Sequence, residues 1–268
     1  VTNPIRPILC VAPTIERSEI TKIRQALDGM GWNLSTRPCV QIDMGRNREP
    51  SERRIERSFN DAQAHYVSGA LAYIDWEYDG YVAIDELRPT NDAIQTAAYC
   101  RRAREIGYDV GVWNQVYMTE RRPYFNRYQY AALKVDTSAY APQACFPNTY
   151  ARFAYSDDPQ RFTERIVYGV TIGRATMTHH GDHGHRNERT THPSFQLRIR
   201  GRGGAIARMD ERTAMEQARA FASVGAFEPL WWFEAGTDGT QIDDRLAEAE
   251  RLIEPWLDGA TWFQPEAA

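Results

Sequence analysis

Asp75 and Glu77 are two carboxylates one residue apart, closing the apolar run Ala70-Leu71-Ala72-Tyr73-Ile74-Asp75-Trp76-Glu77 before Tyr78-Asp79-Gly80. The run reads as a β-strand stopped by an Asp-Gly turn. Side chains alternate across a strand, so Tyr73, Asp75 and Glu77 share one face, with the Cα atoms of the two acids about 6.5 Å apart. In a closed parallel barrel that face, at the carboxyl end of the strand, opens where such barrels hold their active sites.

Other polar residues fall at predicted carboxyl ends of strands: Asp43, Asn114 or Gln115, Asn148, Arg198 with Arg200, and Glu234. Many are flanked by large aromatic residues, namely Trp76, Tyr78, Trp113, Tyr117, Trp231 and Trp232. Carboxylates beside flat rings suit glycoside chemistry. One carboxyl protonates the leaving oxygen and a second stabilises or attacks the sugar cation, while the rings stack on apolar sugar faces. Glu77, the longer acid and the nearer to the mouth, is read as general acid, with Asp75 orienting it or stabilising charge. Glu234 or Asp43 supplies the second carboxylate. Trp76, Trp113, Asn114, Gln115, His180, His183, Arg198, Arg200, Trp231 and Trp232 are read as substrate contacts. Carboxyl separations of about 5–5.5 Å favour retention and about 6.5–9.5 Å inversion, and side-chain rotamers bridge that gap, so both outcomes stay open. Acidic residues also close strands for ordinary reasons, and tryptophans pack cores more often than they bind sugars. The coincidence of several such residues carries the reading.

A second constellation is His179-His180-Gly181-Asp182-His183-Gly184-His185, with His192 beyond; five of the 6 histidines lie between positions 179 and 192. Clustered imidazoles and an Asp have the chemistry of a transition-metal site. Glycines on both sides argue for a loop rather than a fixed ligand cage, so no metal is expected. Arg186, Arg189, Arg198, Arg200 and Arg202 follow, which points to an anionic saccharide such as a uronic or sulfated glycan.

The elements that must position these groups follow a cadence. Strand-like runs over 7–12, 39–44, 70–77, 108–117, 144–146, 195–200 and 227–234 recur, each followed by a helical pattern. Helical faces are Ile20, Ile23, Leu27 and Met30; Ile55, Phe59, Ala62 and Tyr66; Ile94, Ala97, Ala98 and Ile106; Met215, Ala218 and Ala222; and Ile242, Leu246, Ala249 and Ile253. Further helices are expected over 125–133 and 157–168, and residues 170–177 fit either a strand or the end of the second. Thr240 with Asp243 forms a capping box, and Pro255 is expected to stop the last helix. The cadence predicts an α/β chain, a single (β/α)8 TIM-like barrel over 1–268, irregular or incomplete around 157–200. A doubly wound sheet is the second choice, and the absence of a G-x-G-x-x-G turn after the first strand argues against its dinucleotide-binding form.

The Tyr73-Ile74-Asp75-Trp76-Glu77 segment resembles the strand-end D-x-E of barrel glycoside hydrolases, notably family 18 chitinases and family 25 lysozymes. The resemblance covers five residues. It implies a barrel fold, carbohydrate substrates and a proton donor at Glu77 with Asp75 as its helper. The chitinase pattern has aspartates two and five positions before Asp75, where this chain has Tyr73 and Ala70. The lysozyme pattern has an aspartate closing the first strand, where this chain has Ala12, Pro13 and Thr14.

With 268 residues, 42% of them hydrophobic, the chain can bury a large core. A net charge of -4 excludes a nucleic-acid binder of the basic type. Lys22 and Lys134 are the only lysines, a bias toward arginine that suits bidentate contacts to anions and equally suits a GC-rich genome. Cys10, Cys39, Cys100 and Cys145 form no C-x-x-C pair, so neither zinc nor a disulfide framework is expected. No run of about 18 apolar residues crosses a membrane, and no signal-peptide pattern opens the chain. The start on Val1 fits an upstream segment trimmed either by cleavage, as in a secreted protein, or by cloning. No G-x-S-x-G elbow and no P-loop occur. The favoured function is a cofactor-free glycoside hydrolase. The alternatives are a metal-dependent phosphodiesterase or hydrolase using the His179–His185 cluster with Asp75 and Glu77, and a barrel that binds glycans without cleaving them.

Overall fold

The structure, a computed structural model, describes residues 4–12, 15–43, 52–63, 69–75, 81–83, 100–114, 116–118, 123–126, 144–150, 159–178, 190–200, 206–235 and 239–261. The chain divides into two compact units: residues 1–36, 149–170 and 193–268 form the first, and 37–148 with 171–192 the second.

In the first unit, β1 (Ile8–Val11) pairs in parallel with β13 (Leu230–Phe233), Ile8 opposite Leu230 and Val11 opposite Phe233. On the other side of β13 lies the two-residue strand β10 (Ser194–Phe195), also parallel. Helix α1 (Arg17–Gly29) buries Ile23 and Leu27, one turn apart, and stops where Met30 donates its backbone N–H to the Ala26 carbonyl and Gly31 takes φ +99°. Two further helices of this unit, α5 (Glu211–Ser223) and α6 (Gly239–Thr261), pack against one another. Helix α5 is capped by Asp210, whose carboxylate accepts from the Thr213 N–H at 2.8 Å. The core is aromatic. Trp32 and Trp231 rings lie 4.5 Å apart, Phe195 stacks on Trp256 at 4.8 Å, and the Trp32 indole donates to the Ala249 carbonyl at 3.2 Å.

In the second unit the parallel order is β2 (Cys39–Asp43), β3 (Leu71–Asp75), β5 (Asp109–Asn114), β8 (Ala144–Pro147) and β9 (Thr190–Thr191). One face of this sheet, Val40, Ile42, Ala72, Ile74, Val110 and Cys145, packs on Phe59 and Ala62 of α2 (Glu52–Gln63) and on Cys100 and Ala103 of α3 (residues 100–106). Residues of the opposite phase include Tyr73, which meets Phe146 edge-on at 5.1 Å. Gly111, paired with Tyr73, leaves the room that the Phe146 ring fills; a Cβ there would overlap it.

Several sequence expectations are corrected. The long loop after Tyr78 contains β4 (Tyr81–Ala83), and the expected helix over 125–133 starts instead as β7 (Pro123–Asn126). With β6 (Val116–Met118) these form a separate three-stranded antiparallel sheet, so the fourth expected strand is broken after Asn114. Alternating apolar residues specify a strand but not which sheet it joins. The run from Phe195 to Arg200 is likewise split: β10 joins the parallel strands, while β11 (Arg198–Arg200) forms an antiparallel ribbon with β12 (Ile206–Arg208). Helix α4 (Pro159–Thr178) takes up the ambiguous 170–177 segment, and Gly173, itself part of the second unit, lies close to β8 and β9 of that unit, where a Cβ would sit 2.7 Å from Pro147 and 2.8 Å from Thr191. Pro255 does not end α6, which runs through it to Thr261. Burial of Leu252, Ile253 and Trp256 on either side outweighs the lost backbone hydrogen bond. That helix begins at Gly239, one residue before the expected Thr240 cap.

Candidate functional site

In the second unit, the backbone register sets two acidic positions at neighbouring strand ends. Register pairing sets Leu71 opposite Cys39, Tyr73 opposite Gln41, and Asp75 opposite Asp43, the last residue of each strand. Adjacent strands lie about 4.8 Å apart, so these two positions are neighbours at the carboxyl end of the sheet. Both are in phase with Gln41 and Tyr73 and out of phase with Ile42 and Ile74, which pack on the helices. Two strands along, Asn114 pairs with Pro147, and buried Asn148 follows. Trp113 and Arg200 lie in strands β5 and β11. Trp76, Glu77, Gln115, His180 and His183 lie outside the described residues.

The first unit holds a second group around Glu234, which stands one residue past β13. A cleft here is lined by Gln196, Leu197, Arg198, Trp231, Trp232, Phe233, Glu234, Arg245 and Glu248. Four expected site residues, Glu234, Arg198, Trp231 and Trp232, are thus brought together. Gln196, 1% exposed, donates from Nε2 to Glu234 Oε2 at 3.3 Å. Arg245, from the second turn of α6, donates from Nε to the Glu234 carbonyl oxygen at 3.0 Å and from Nη1 to Glu248 Oε2 at 2.8 Å. Arg198 Nε donates to the same Glu248 oxygen at 3.2 Å. Glu234 is therefore held at its side chain by Gln196 and at its backbone by Arg245, and Glu248 in turn fixes two guanidinium groups. Glu248 is 5% exposed, and removing it would leave two part-buried cations without their shared counter-charge.

Two of the expected substrate contacts take on structural roles. Trp231 is 2% exposed and packs among Trp32, Phe195 and Phe233, so most of its ring is core rather than platform. Arg198 is tied to Glu248. Trp232, next in the strand, is half-buried and lines the cleft. Gln196, Arg245 and Glu248 were not singled out in the sequence. The i,i+3 spacing of Arg245 and Glu248 was visible there, but such pairs ordinarily decorate solvated helix faces. Only the packing reveals that this one is buried.

Among the described residues no cluster of His, Cys, Asp and Glu could hold a metal ion, and the histidine-rich segment before Thr190 lies outside them. No helix among the described residues is long and apolar enough to cross a membrane.

No family model matches the chain. No curated protein matches it either. Solved structures do resemble it. Bee venom hyaluronidase in a monoclinic crystal form superposes with a TM-score of 0.63 at 8% identity, over 94% of this chain and 100% of that one. Bee venom hyaluronidase in complex with a hyaluronic acid tetramer gives a TM-score of 0.51 at 9% identity, over 95% of this chain and 98% of that one. At such identity the likeness speaks for the fold alone. The chain has an α/β fold of the (β/α)8 barrel type, irregular and incomplete around residues 157–200, where the strands β9 and β10 shrink to two residues each with only His192 and Pro193 between them.

Proposed function

We propose that the chain is a glycoside hydrolase that cleaves a polysaccharide or oligosaccharide at the carboxyl ends of its parallel strands. One observation carries the reading: Asp43 and Asp75 stand opposite one another at the last position of adjacent parallel strands, with Glu77 two residues further along the chain. Catalytic groups of (β/α)8 enzymes come from such strand ends. The fold likeness to bee venom hyaluronidase, one structure of which holds a hyaluronic acid tetramer, supports a carbohydrate substrate. In this reading Glu77 protonates the glycosidic oxygen, Asp75 orients it or stabilises charge, and Asp43 or Glu234 is the second carboxylate. Trp76, Trp113 and Trp232 offer rings to sugar faces. Asn114, Gln115, His180, His183 and Arg200 supply further polar contacts, and the arginines favour an anionic glycan.

The test is release of reducing ends from hyaluronan, pectin, chitin and cellulose by the parent chain and by Glu77→Gln. The amide keeps the shape of the side chain but cannot give up a proton, so turnover should fall by about 10²- to 10⁴-fold while saccharide binding persists. Equal turnover by Glu77→Gln would remove Glu77 from the mechanism. Tight binding without cleavage by the parent chain would make the protein a glycan-binding barrel.

A further inference from the structure

A glutamine that is 1% exposed spends its amide on a half-buried acid: Gln196 donates from Nε2 to Glu234 Oε2 at 3.3 Å. Both stand just past parallel strands that pair with one another, Gln196 one step beyond β10 and Glu234 one step beyond β13. Each lies between two core residues, Gln196 between Phe195 and Leu197 and Glu234 between Phe233 and Ala235. The backbone at Glu234 is fixed as well. Ala235 donates its N–H to the Phe233 carbonyl at 3.0 Å, closing a tight turn with Glu234 at its apex, and Arg245 Nε donates to the Glu234 carbonyl, also at 3.0 Å. Arg245 is held in turn by Glu248 at 2.8 Å. Ordering a glutamate side chain costs rotamer entropy and burying an amide costs desolvation, so this arrangement suits a task that needs the carboxylate in one place.

We infer that Glu234 is the carboxylate that stabilises the sugar cation, and that Gln196 is its positioning residue. The inference rests on the glycoside-hydrolase reading above and deepens it, naming the second carboxylate and the group that aims it. Trp232, half-buried, lines the same cleft and offers its ring to a sugar face. In the hydrolysis the glycosidic C–O bond breaks as the general acid gives its proton to the leaving oxygen, water adds its oxygen to the anomeric carbon, and the water's spare proton restores the acid. Glu234 exchanges no proton in this scheme. Its negative charge offsets the positive charge that develops on the sugar ring, and how well it does so depends on where the carboxylate is held. Gln196 touches no substrate and acts only by fixing Oε2.

The experiment is a double-mutant cycle on steady-state release of reducing ends, with whichever of hyaluronan, pectin, chitin and cellulose the parent chain cleaves. Gln196→Met, Glu234→Ala and the double variant are compared, each checked for folding by its thermal midpoint. Glu234→Ala should lower kcat about 10²- to 10³-fold, and added formate, which returns a carboxylate to the vacated space, should recover about tenfold of that loss. Gln196→Met keeps the length without the N–H and should lower kcat about tenfold, with KM within about threefold of the parent. In the Glu234→Ala background the same change should alter kcat by less than about twofold, because the group it positions is gone. A tenfold loss repeated in that background would make Gln196 a structural residue and overturn its role. Should Gln196→Met not fold, Gln196→Asn, whose amide is too short to reach, enters the cycle with the same expectations. The two readings fail separately. Release of no reducing ends by the parent chain would remove the hydrolase reading and this inference with it. A parent that cleaves, with Glu234→Ala equally fast or deaf to formate, would remove this inference alone.

Discussion

The cores of the two units are built from different materials. The first unit stacks Trp32, Phe195, Phe221, Trp231 and Trp256, large rings within about 6 Å of one another. Among the described residues, the helix-facing core of the second is filled with Ala62, Ala70, Ala72, Ala103, Cys100 and Cys145 around Val40, Ile42, Ile74 and Val110, with Phe59 and Tyr108 as its rings, while Tyr73 and Phe146 pair on the opposite face of the sheet. Small side chains let helices lie close to the sheet, and many residues share the burial. Large rings concentrate it, so a few positions hold much of the first unit together. A core of the first kind is brittle to truncation; one of the second kind is intolerant of added volume.

The largest expected effect is truncation in the aromatic core. Trp256→Ala removes a ring that contacts Trp32, Phe195 and Phe221 and should destabilise the protein by about 3–5 kcal/mol in urea unfolding. A loss below about 1 kcal/mol would mean that the rings share burial as widely as the small residues do. Next comes Ala103→Leu in the second unit. Ala103 is wholly buried, and the added carbons should cost about 1–3 kcal/mol by overpacking. Stability equal to the parent chain would point to slack in that core.

A smaller change runs the other way. Gln217 on α5 is fully buried, and neither its amide oxygen nor its nitrogen has a hydrogen-bond partner. Gln217→Met keeps the length without the polar atoms and should raise stability by about 1 kcal/mol, read as a higher urea midpoint at constant slope. A destabilised variant would imply that ordered water serves the amide.

The smallest effect depends on pH. Partial burial pushes the Asp210 carboxyl up, but the Thr213 backbone N–H and hydroxyl, both bonded to it, outweigh that and hold it below its ordinary value of 3.8. A carboxyl lowered in the folded state stabilises above its unfolded value, and that contribution disappears as pH falls through the folded one. Asp210→Ala should therefore cost about 1 kcal/mol near neutral pH, and the gap to the parent chain should close below the ordinary carboxylate range. A gap that stays constant from pH 7 to pH 2 would refute the capping role.

What could be read from the sequence was what periodicity governs. Strands around Ile8, Val40, Leu71, Val110, Cys145 and Leu230 were legible because each is a short apolar run with a turn signal after it, and so was the barrel cadence they set. The antiparallel sheet of β4, β6 and β7 was not, because a strand pattern carries no address for its partner. At the candidate site, the acids at strand ends were visible as Asp43, Asp75 and Glu234. The pairing of Asp43 with Asp75 needed the register, and the clamp of Gln196, Arg198, Arg245 and Glu248 needed the packing of α6. A helical Arg-x-x-Glu looks the same in water as in a core.

The indole of Trp32 bonds to the carbonyl of Ala249, 217 residues away, and β1 has its partner in β13. During translation at about 5–20 residues per second, the first strand must wait roughly 10–40 s for that partner to be made. Through that interval β1 lacks this native edge, and only early segments such as α1, whose Ile23 and Leu27 share a core with Leu9 and Val11, can cover it. The growing polypeptide therefore depends on late completion, and on whatever shields apolar segments at the ribosome, to avoid wrong associations.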